Sequence, residues 1–225
     1  MTFTFIAHRG ASADAPDNTT AAFQLAIEQQ SDMIETDVQI TEDGVLVLEH
    51  DFNVSGHPVA ASRLSELRAL KPDLLTVAAA LRDFGGQIPF CWEIKAPGVE
   101  TALVNLVRDL LPPAMWARTH FTSFWFGSAV KVRQLAPDVT VGWLTRDWSE
   151  AAIAQVKDAG LTQICPPAEA VLHHPALVEA ARAAGLQVRV WLVTEPQLVP
   201  DLAAAGVYGG TVNWPAQARA ALSGS

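Results

Sequence analysis

The chain has few cysteines and no long apolar run. Its two cysteines, Cys91 and Cys165, occur among 225 residues and form no C-x-x-C or Cys/His pattern. This argues against a disulfide framework or a thiolate metal site and indicates two buried thiols in a reducing compartment. No apolar stretch approaches the roughly 20 residues that a transmembrane helix needs. We therefore predict a soluble, cytoplasmic protein.

Positive charge is also scarce. Lys and Arg number 15 against 24 Asp and Glu, which gives a formal net charge of -9, and the basic residues form no run. Because nucleic-acid binding depends on neutralising phosphates, we expect no nucleic-acid partner. A small phosphate ester is compatible with this composition if the positive charge is local. Residues 1–7 lack a basic region and lead directly to His8, a candidate site residue, so signal-peptide cleavage there would destroy the site.

Half of the residues are hydrophobic, and strand-like segments alternate with helix-like ones. This alternation is typical of a parallel sheet with crossover helices. Strands are predicted at 3–7, 33–40, 45–49, 88–94, 117–122, 139–144, 161–165, 187–193 and 207–212. Helices are predicted at 19–30, 62–70, 75–84, 99–111, 126–135, 149–159, 173–184, 197–205 and 215–222. No linker or low-complexity tract interrupts the pattern, so we expect one domain over residues 1–225.

Two segments do not fit a simple alternation. Residues 41–44 are too few for a crossover helix and predict a hairpin or sharp turn between the strands on either side. The nine strand-like segments are one more than the eight strands of a (β/α)8 barrel. The sequence leaves open which segment lies outside the barrel. Residues 51–74, with Gly56, Pro58 and Pro72, predict a loop with one short helix.

Polar clusters end four of the early strand-like segments, namely His8-Arg9-Gly10, Glu35-x-Asp37, His50-Asp51 and Glu93-x-Lys95. Side chains two apart on a strand point the same way, so Glu35 faces with Asp37, and Glu93 with Lys95. Three carboxylates together suit a hard cation such as Mg²⁺ or Ca²⁺ better than Zn²⁺. Arg9 and Lys95 can hold a phosphate, and the two histidines can move protons on opposite sides of the phosphorus.

Each group also has an ordinary structural explanation. The acids could be solvated strand-end charges, with Glu93 paired to Lys95 or Arg9, and a strand-end histidine is often a satisfied structural group. The placement of all these groups on strand ends favours one shared site over separate explanations. The other histidines carry no supporting pattern, and we assign them to structural or surface positions: His57, His120, His173 and His174.

Three strings carry a resemblance to a known family: HRGASADAPDNTTAAF, IETDVQITEDGVLVLEHD and FCWEIK. In order and spacing they resemble the glycerophosphodiester phosphodiesterase family, which itself is similar to the phosphatidylinositol-specific phospholipase C barrels. Weaker similarity continues down the chain, at Phe121-Thr122-Ser123-Phe124, at Trp191 and at Asn213-Trp214-Pro215.

The resemblance implies a (β/α)8 TIM barrel of the phospholipase C-like type with its site at the carboxyl ends of the strands. It implies metal-dependent hydrolysis of small glycerophosphodiesters to sn-glycerol 3-phosphate and an alcohol. One imidazole would activate the attacking hydroxyl, which the glycerol 2-hydroxyl could supply through a cyclic intermediate, and the other would protonate the leaving alkoxide. The implied residues are Glu35, Asp37 and Glu93 for one divalent cation, His8 and His50 for acid–base catalysis, and Arg9, Lys95 and Trp191 for substrate.

The resemblance leaves several points open. It favours Mg²⁺ but leaves Ca²⁺ and Mn²⁺ possible, and it does not say which histidine is the base. The oligomeric state is not predicted. Two acidic positions of the family differ here, with Asp17 in place of Glu and Asn213 in place of an acid, and Thr194 follows Trp191-Leu192-Val193 where Asn is common.

The segment after His50 is much shorter than the insertion that many family members carry, so we expect a more open site. An open site could admit a lysophospholipid, which makes a lysophospholipase D-like activity the alternative function. A non-catalytic barrel that binds a phosphorylated ligand is less consistent with a complete set of acids and histidines. Five tryptophans are candidates for the site wall: Trp92, Trp125, Trp143, Trp191 and Trp214.

Overall fold

Eight parallel strands alternate with helices and close into a barrel in the computed structural model, which describes residues 3–224. The strands in chain order are β1 (Thr4–His8), β2 (Met33–Ile40), β3 (Leu46–Leu48), β4 (Asn53–Val54), β5 (His57–Pro58), β6 (Phe90–Ile94), β7 (His120–Ser123), β8 (Thr140–Leu144), β9 (Gln163–Cys165), β10 (Gln187–Val190) and β11 (Gly209–Val212). The helices are α1 (Thr20–Glu28), α2 (Leu64–Leu70), α3 (Val77–Phe84), α4 (Glu100–Leu110), α5 (Pro113–Trp116), α6 (Phe126–Leu135), α7 (Glu150–Asp158), α8 (Ala168–His173), α9 (Ala176–Ala183), α10 (Val199–Ala204) and α11 (Pro215–Ser223). Short 3-10 turns span Val59–Ala61 and Pro196–Leu198.

The sheet is continuous around the barrel. β1 pairs in parallel with both β2 and β11, and the ring runs on from β11 through β10, β9, β8, β7 and β6 to β2. This closure confirms the predicted (β/α)8 barrel. In its register, His8 lies opposite Glu35 and Asp37 lies opposite Glu93. Polar residues of three adjacent strands therefore meet at the carboxyl end of the barrel.

One of the nine predicted strands lies outside the ring. β3 runs antiparallel to β2, with Val38 opposite Leu48, after the turn at residues 41–44. The predicted hairpin is thus confirmed, and segment 45–49 is the extra strand. As the chain returns beside β2, the Glu49 amide donates to the Asp37 carbonyl at 3.1 Å. This return delivers His50 to the mouth of the barrel.

Three segments differ from the sequence-based expectation. The strand predicted at 117–122 begins later because Pro112 and Pro113 start the one-turn helix α5 before it. The helix predicted at 173–184 begins later, at Ala176 of α9, directly after Pro175, and the preceding helix α8 at Ala168–His173 was not predicted. Residues 51–74 contain the small hairpin of β4 and β5 as well as the predicted short helix α2.

Alternation along β6 shows how one strand serves both the core and the site. Phe90 meets Phe23 of α1 edge to face at 5.6 Å, and Trp92 stacks on Phe90 at 4.6 Å between ring centroids. The alternate residues Cys91 and Glu93 point to the barrel interior. Trp92 is therefore a core residue, and its assignment to the site wall is wrong. Among residues 3–224, no helix is both long and apolar enough to cross a bilayer.

Candidate active site

Three carboxylates converge at the carboxyl end of β2 and β6. One oxygen each from Glu35, Asp37 and Glu93 can be chosen so that all three lie within 4.8 Å of one another. Glu35 and Asp37 are 3% and 1% exposed. The strand register produces this cluster because Asp37 and Glu93 are directly paired positions and Glu35 is two residues earlier on the same face.

Two cations hold the carboxylates in place. Arg9 Nε lies 3.1 Å from Asp37 Oδ2, and Arg9 Nη1 donates to Asp17 Oδ2 at 3.0 Å. Lys95 Nζ lies 3.0 Å from Glu93 Oε1 and 3.3 Å from Asp37 Oδ1. Glu93 and Lys95 therefore do form an ion pair, as the structural explanation expects. This pair is part of the shared cluster, because Lys95 also contacts Asp37.

Burial and mutual repulsion act on the acids. Burial raises the pKa of Glu35 well above its usual range, and the charges of Asp37 and Glu93 raise it further. Burial and the charge of Asp37 also raise the pKa of Glu93. Burial alone would lower the pKa of Lys95, but Glu93 and Asp37 raise it overall. The cluster thus concentrates negative charge that the two cations only partly offset.

Two carboxylate oxygens of the cluster provide a test of whether it fits a metal. Glu35 Oε1 and Asp37 Oδ1 are fully buried, and neither accepts a hydrogen bond from any residue between 3 and 224. Asp37 Oδ1 is within ion-pair distance of Lys95 but lacks hydrogen-bond geometry. Buried oxygens without donors are costly. An oxygen-only donor set with unsatisfied lone pairs fits a hard divalent cation.

Both candidate histidines line the same cavity as these groups. The cavity has a volume of about 310 Å³ and is bordered by His8, Arg9, Glu35, His50, Glu93 and Lys95, among others. His8 Nδ1 lies 2.7 Å from Asn213 Oδ1, and His50 Nδ1 lies 2.8 Å from Asp51 Oδ1. Burial and the charge of Arg9 lower the pKa of His8. The hydrogen bond to His50 lowers the pKa of Asp51.

Left-handed backbone at the end of β1 places Arg9 beside Glu35. Arg9 has φ 56° and Gly10 has φ 86°. The Arg9 amide donates to the Glu35 carbonyl at 2.8 Å. A Cβ on Gly10 would lie 2.6 Å from the backbone carbon of Ala22, so only glycine fits here. The HRG string is therefore a tight exit from the strand as well as a source of functional groups.

Comparison with known proteins identifies the family. Residues 8–216 match the model of the glycerophosphoryl diester phosphodiesterase family. The chain belongs to this family. It is therefore a phosphoric diester hydrolase, and the resemblance seen in the sequence is confirmed.

Individual relatives of this phosphodiesterase span nearly its whole length. A glycerophosphodiester phosphodiesterase of Caldanaerobacter subterraneus is 28% identical over an alignment of 235 positions that covers 91% of each chain. A crystal structure of a glycerophosphodiester phosphodiesterase from Parabacteroides distasonis has a TM-score of 0.88 at 24% identity and covers 99% of this chain and 97% of its own. A phosphodiesterase from Oleispira antarctica, solved with the product sn-glycerol-3-phosphate, has a TM-score of 0.86 at 22% identity, with coverages of 98% and 96%.

Three site residues of this phosphodiesterase escaped prediction from the sequence. Asn18 Nδ2 donates to Asp37 Oδ2 at 3.0 Å, and Asn18 Oδ1 accepts from Thr36 at 2.7 Å. Asn213 is the partner of His8. Arg189 on β10 is 1% exposed, lines the cavity, and acts through its charge on Glu35. An arginine inside an apolar strand is the sequence signal that could have indicated Arg189. The two asparagines lie in sequence strings that carry the family resemblance.

Of the five candidate tryptophans, all of them described residues, one lines the cavity that holds the carboxylates and the histidines. Trp191 lies there, and its indole Nε1 donates to the Cys165 carbonyl at 2.9 Å. Trp125 borders a separate groove on the β6 and β7 side of the mouth. Trp143 packs on Phe126, and Trp214 packs against the core. Four further described histidines do not line this cavity: His57, His120, His173 and His174.

Proposed function

We propose that this phosphodiesterase hydrolyses glycerophosphodiesters to sn-glycerol 3-phosphate and an alcohol, with a divalent cation on Glu35, Asp37 and Glu93. The observation that carries the proposal is that one cavity collects these acids, two histidines and several cations. The relative from Oleispira antarctica that holds sn-glycerol-3-phosphate supports the product.

The charge balance of the site explains how a chain of net charge -9 attracts a phosphate. Glu35, Asp37 and Glu93 are matched by three buried or partly buried cations, which are Arg9, Lys95 and Arg189. A bound divalent cation supplies positive charge against the phosphate oxygens on which negative charge builds during the reaction. With that cation the site has a net positive charge, so the attraction is local. We favour Mg²⁺ on the oxygen donors.

Arg9 and Lys95 orient the phosphate. Each is already held by Asp37, so little side-chain freedom is lost when a phosphodiester binds. Arg9 offers a planar fork and Lys95 a compact ammonium, which together fix two non-bridging oxygens.

The partners of the two histidines suggest their roles. Asn213 Oδ1 can only accept, so His8 Nδ1 carries the proton and leaves Nε2 free to take one. The lowered pKa of His8 keeps that ring neutral, as a general base requires. His50 Nδ1 lies 2.8 Å from the Asp51 carboxylate, which orients the ring and suits His50 to protonate the leaving alkoxide. We therefore propose His8 as the base and His50 as the acid.

The proposal is tested by assaying glycerol 3-phosphate release from glycerophosphoethanolamine by purified enzyme, with Glu35→Gln, His8→Ala and His50→Ala alongside. Loss of a general acid or base costs about 10²- to 10⁴-fold in rate, and Glu35→Gln should lose metal-dependent turnover. Glu28→Gln is the matched control, since Glu28 is exposed on α1 and borders no part of the cavity. Wild-type rates in any of the three site variants would refute the assigned role.

A second candidate function is a lysophospholipase D-like activity on single-chain lipids. An apolar groove opens beside Glu93 and Lys95 and is lined by Phe52, Ile94, Phe124 and Trp125. Phe52 and Trp125 are 58% and 53% exposed, which is unusual for large apolar side chains beside a site. This groove is the specific observation that favours a lipid tail.

Matched substrates test this candidate. Lysophosphatidylethanolamine and glycerophosphoethanolamine share a head group and differ in the acyl chain. A lipid-directed enzyme should prefer the first, and Phe52→Ser should reduce that preference while Leu110→Ser, at another exposed apolar residue, should not. Equal effects of the two variants would assign the groove no part in substrate binding.

We also propose a cytoplasmic location and a single domain over residues 1–225. Cys91 and Cys165 are free and buried, and burial raises the pKa of Cys91 to about 12, so it is unreactive as a thiolate. Cell fractionation with an antibody to the native chain tests the location.

A further inference from the structure

Arg146 is a cation at the mouth of the cavity that the reaction described above does not use. It lies in the loop between β8 and α7, is exposed, and borders the cavity beside Trp191, which follows β10, the strand four places from β6 in the ring of eight. Its guanidinium carbon lies 5.0 Å from the ring centroid of Trp191. Within residues 3–224, no carboxylate lies within ion-pair distance of Arg146. Its positive charge is therefore available to a ligand.

Trp191 gives Arg146 a fixed platform. The indole Nε1 donates to the Cys165 carbonyl at 2.9 Å, and Phe124 meets the ring edge to face at 5.2 Å. The next residue, Leu192, has φ 57°, a left-handed conformation that turns the chain sharply after the strand. An arginine stacked on an immobile ring loses little freedom when it binds a second group.

We propose that Arg146 determines specificity for the alcohol half of the substrate by favouring a head group that carries an anionic group and disfavouring a quaternary ammonium. The inference rests on the proposed phosphodiesterase function. Arg9 and Lys95 already lie on the acidic side of the cavity to hold the phosphate, and the glycerol half has no charge of its own. A guanidinium on the opposite side is suited to a carboxylate.

The same geometry explains why a choline head group is a poor fit. Quaternary ammonium groups are commonly bound on the face of an aromatic ring. In this site the guanidinium of Arg146 lies over that face of Trp191. A choline approaching Trp191 therefore meets a like charge instead of an open ring.

The test uses substrates that differ by one group. Glycerophosphoserine equals glycerophosphoethanolamine with one added carboxylate, and glycerophosphocholine and glycerophosphoglycerol compare a cationic with a neutral head group. We would measure kcat/KM for all four with wild-type enzyme, Arg146→Gln and Arg146→Glu. Arg82→Gln removes the same charge from a 71% exposed side chain on α3 and is the matched control.

The wild type should prefer the serine diester over the ethanolamine diester, and Arg146→Gln should reduce this ratio by about tenfold, as expected for a charge-assisted hydrogen bond. Arg146→Glu should raise turnover of the choline diester relative to the glycerol diester, and Arg82→Gln should leave both ratios unchanged. Ratios that do not change in Arg146→Gln would overturn the inference. An equal fall for all four diesters would also overturn it, because Arg146 would then contact the glycerol or the phosphate.

Failure of the proposed function gives a different result. If the wild type hydrolysed none of the four diesters, the phosphodiesterase assignment on these substrates would fail. The role of Arg146 would then be decided by calorimetric binding of the same diesters, which needs no chemistry. A selective loss of affinity for the serine diester in Arg146→Gln would still support the inference, and unchanged affinities would refute it.

Discussion

The contact between His8 and Asn213 allows a direct test of the base assignment. Asn213 Oδ1 lies 2.7 Å from His8 Nδ1. Substitution of Asn213 by Asp keeps the shape of the side chain and adds a negative charge. That charge favours the imidazolium form of His8, so the pKa of His8 should rise in the variant.

The size of the effect follows from the distance and the partial exposure of the pair. Two opposite charges about 4 Å apart are worth about 1 kcal/mol in water and more where solvent is partly excluded. Because about 1.4 kcal/mol corresponds to a tenfold change in an equilibrium, the acid limb of the kcat/KM profile should move up by about one pH unit. A base must be unprotonated, so Asn213→Asp should lose roughly tenfold in rate below that limb and little above it.

Two assays measure this shift. The pH dependence of kcat/KM reports it in turnover, and NMR titration of ¹³C-labelled histidine reports it on the ring, with His8→Ala identifying the resonance. Asn105→Asp on the exposed face of α4 adds the same charge elsewhere and should shift neither. If Asn213→Asp moved the alkaline limb and left the acid limb in place, His8 would be the acid. An unchanged His8 titration would refute the geometric argument itself.

Four other features of the structure have measurable consequences. Asn18→Ala should weaken Mg²⁺ binding by about 10- to 100-fold, measured by calorimetry, because Asp37 loses the amide that orients it, and unchanged affinity would contradict this. Gly10→Ala should lower unfolding free energy in urea by about 1–3 kcal/mol through its positive φ and its clash with α1, whereas a neutral result would mean that the β1 exit relaxes easily. Arg189→Met should destabilise the metal-free chain by about 3 kcal/mol because buried acids lose a counter-charge, and this loss should shrink in Mg²⁺. The pKa values of Glu35 and Glu93 are raised in the folded chain, so these groups should add stability to the metal-free protein as the pH falls through their folded pKa values. Mg²⁺ should therefore raise Tm more at pH 7.5 than at pH 5, and an equal rise at both would contradict the shifts.

The sequence predicted the barrel and the acidic cluster because both depend on local patterns. Glu35 and Asp37 end an apolar strand with period two, and Glu93 ends another, so parallel pairing brings them together at one end of the sheet. The turn at 41–44 also follows from a local pattern. The strand that lies outside the ring cannot be identified from a local pattern, because the barrel is closed by the pairing of β1 with β11, which joins the two ends of the chain.

The residues that the sequence missed depend on long-range closure. Asn213 reaches His8 across 205 positions only because the last barrel strand lies beside the first. Arg189 is an arginine in a four-residue strand, and strand periodicity alone does not show that its side is enclosed by seven other strands. Arg146 was missed for the same reason, since the β8 loop approaches Trp191 only after the ring closes.

Metal-dependent hydrolysis is tested most directly by ³¹P NMR of glycerophosphoethanolamine with enzyme stripped by EDTA, recorded before and after addition of Mg²⁺, Ca²⁺ or Mn²⁺. We expect an unchanged diester signal in the stripped sample. After metal addition, the diester should be replaced by sn-glycerol 3-phosphate, directly or through a cyclic phosphate. Phosphoethanolamine as the product would mean cleavage of the other ester bond, and equal turnover with and without metal would contradict a role for the acidic cluster in cation binding.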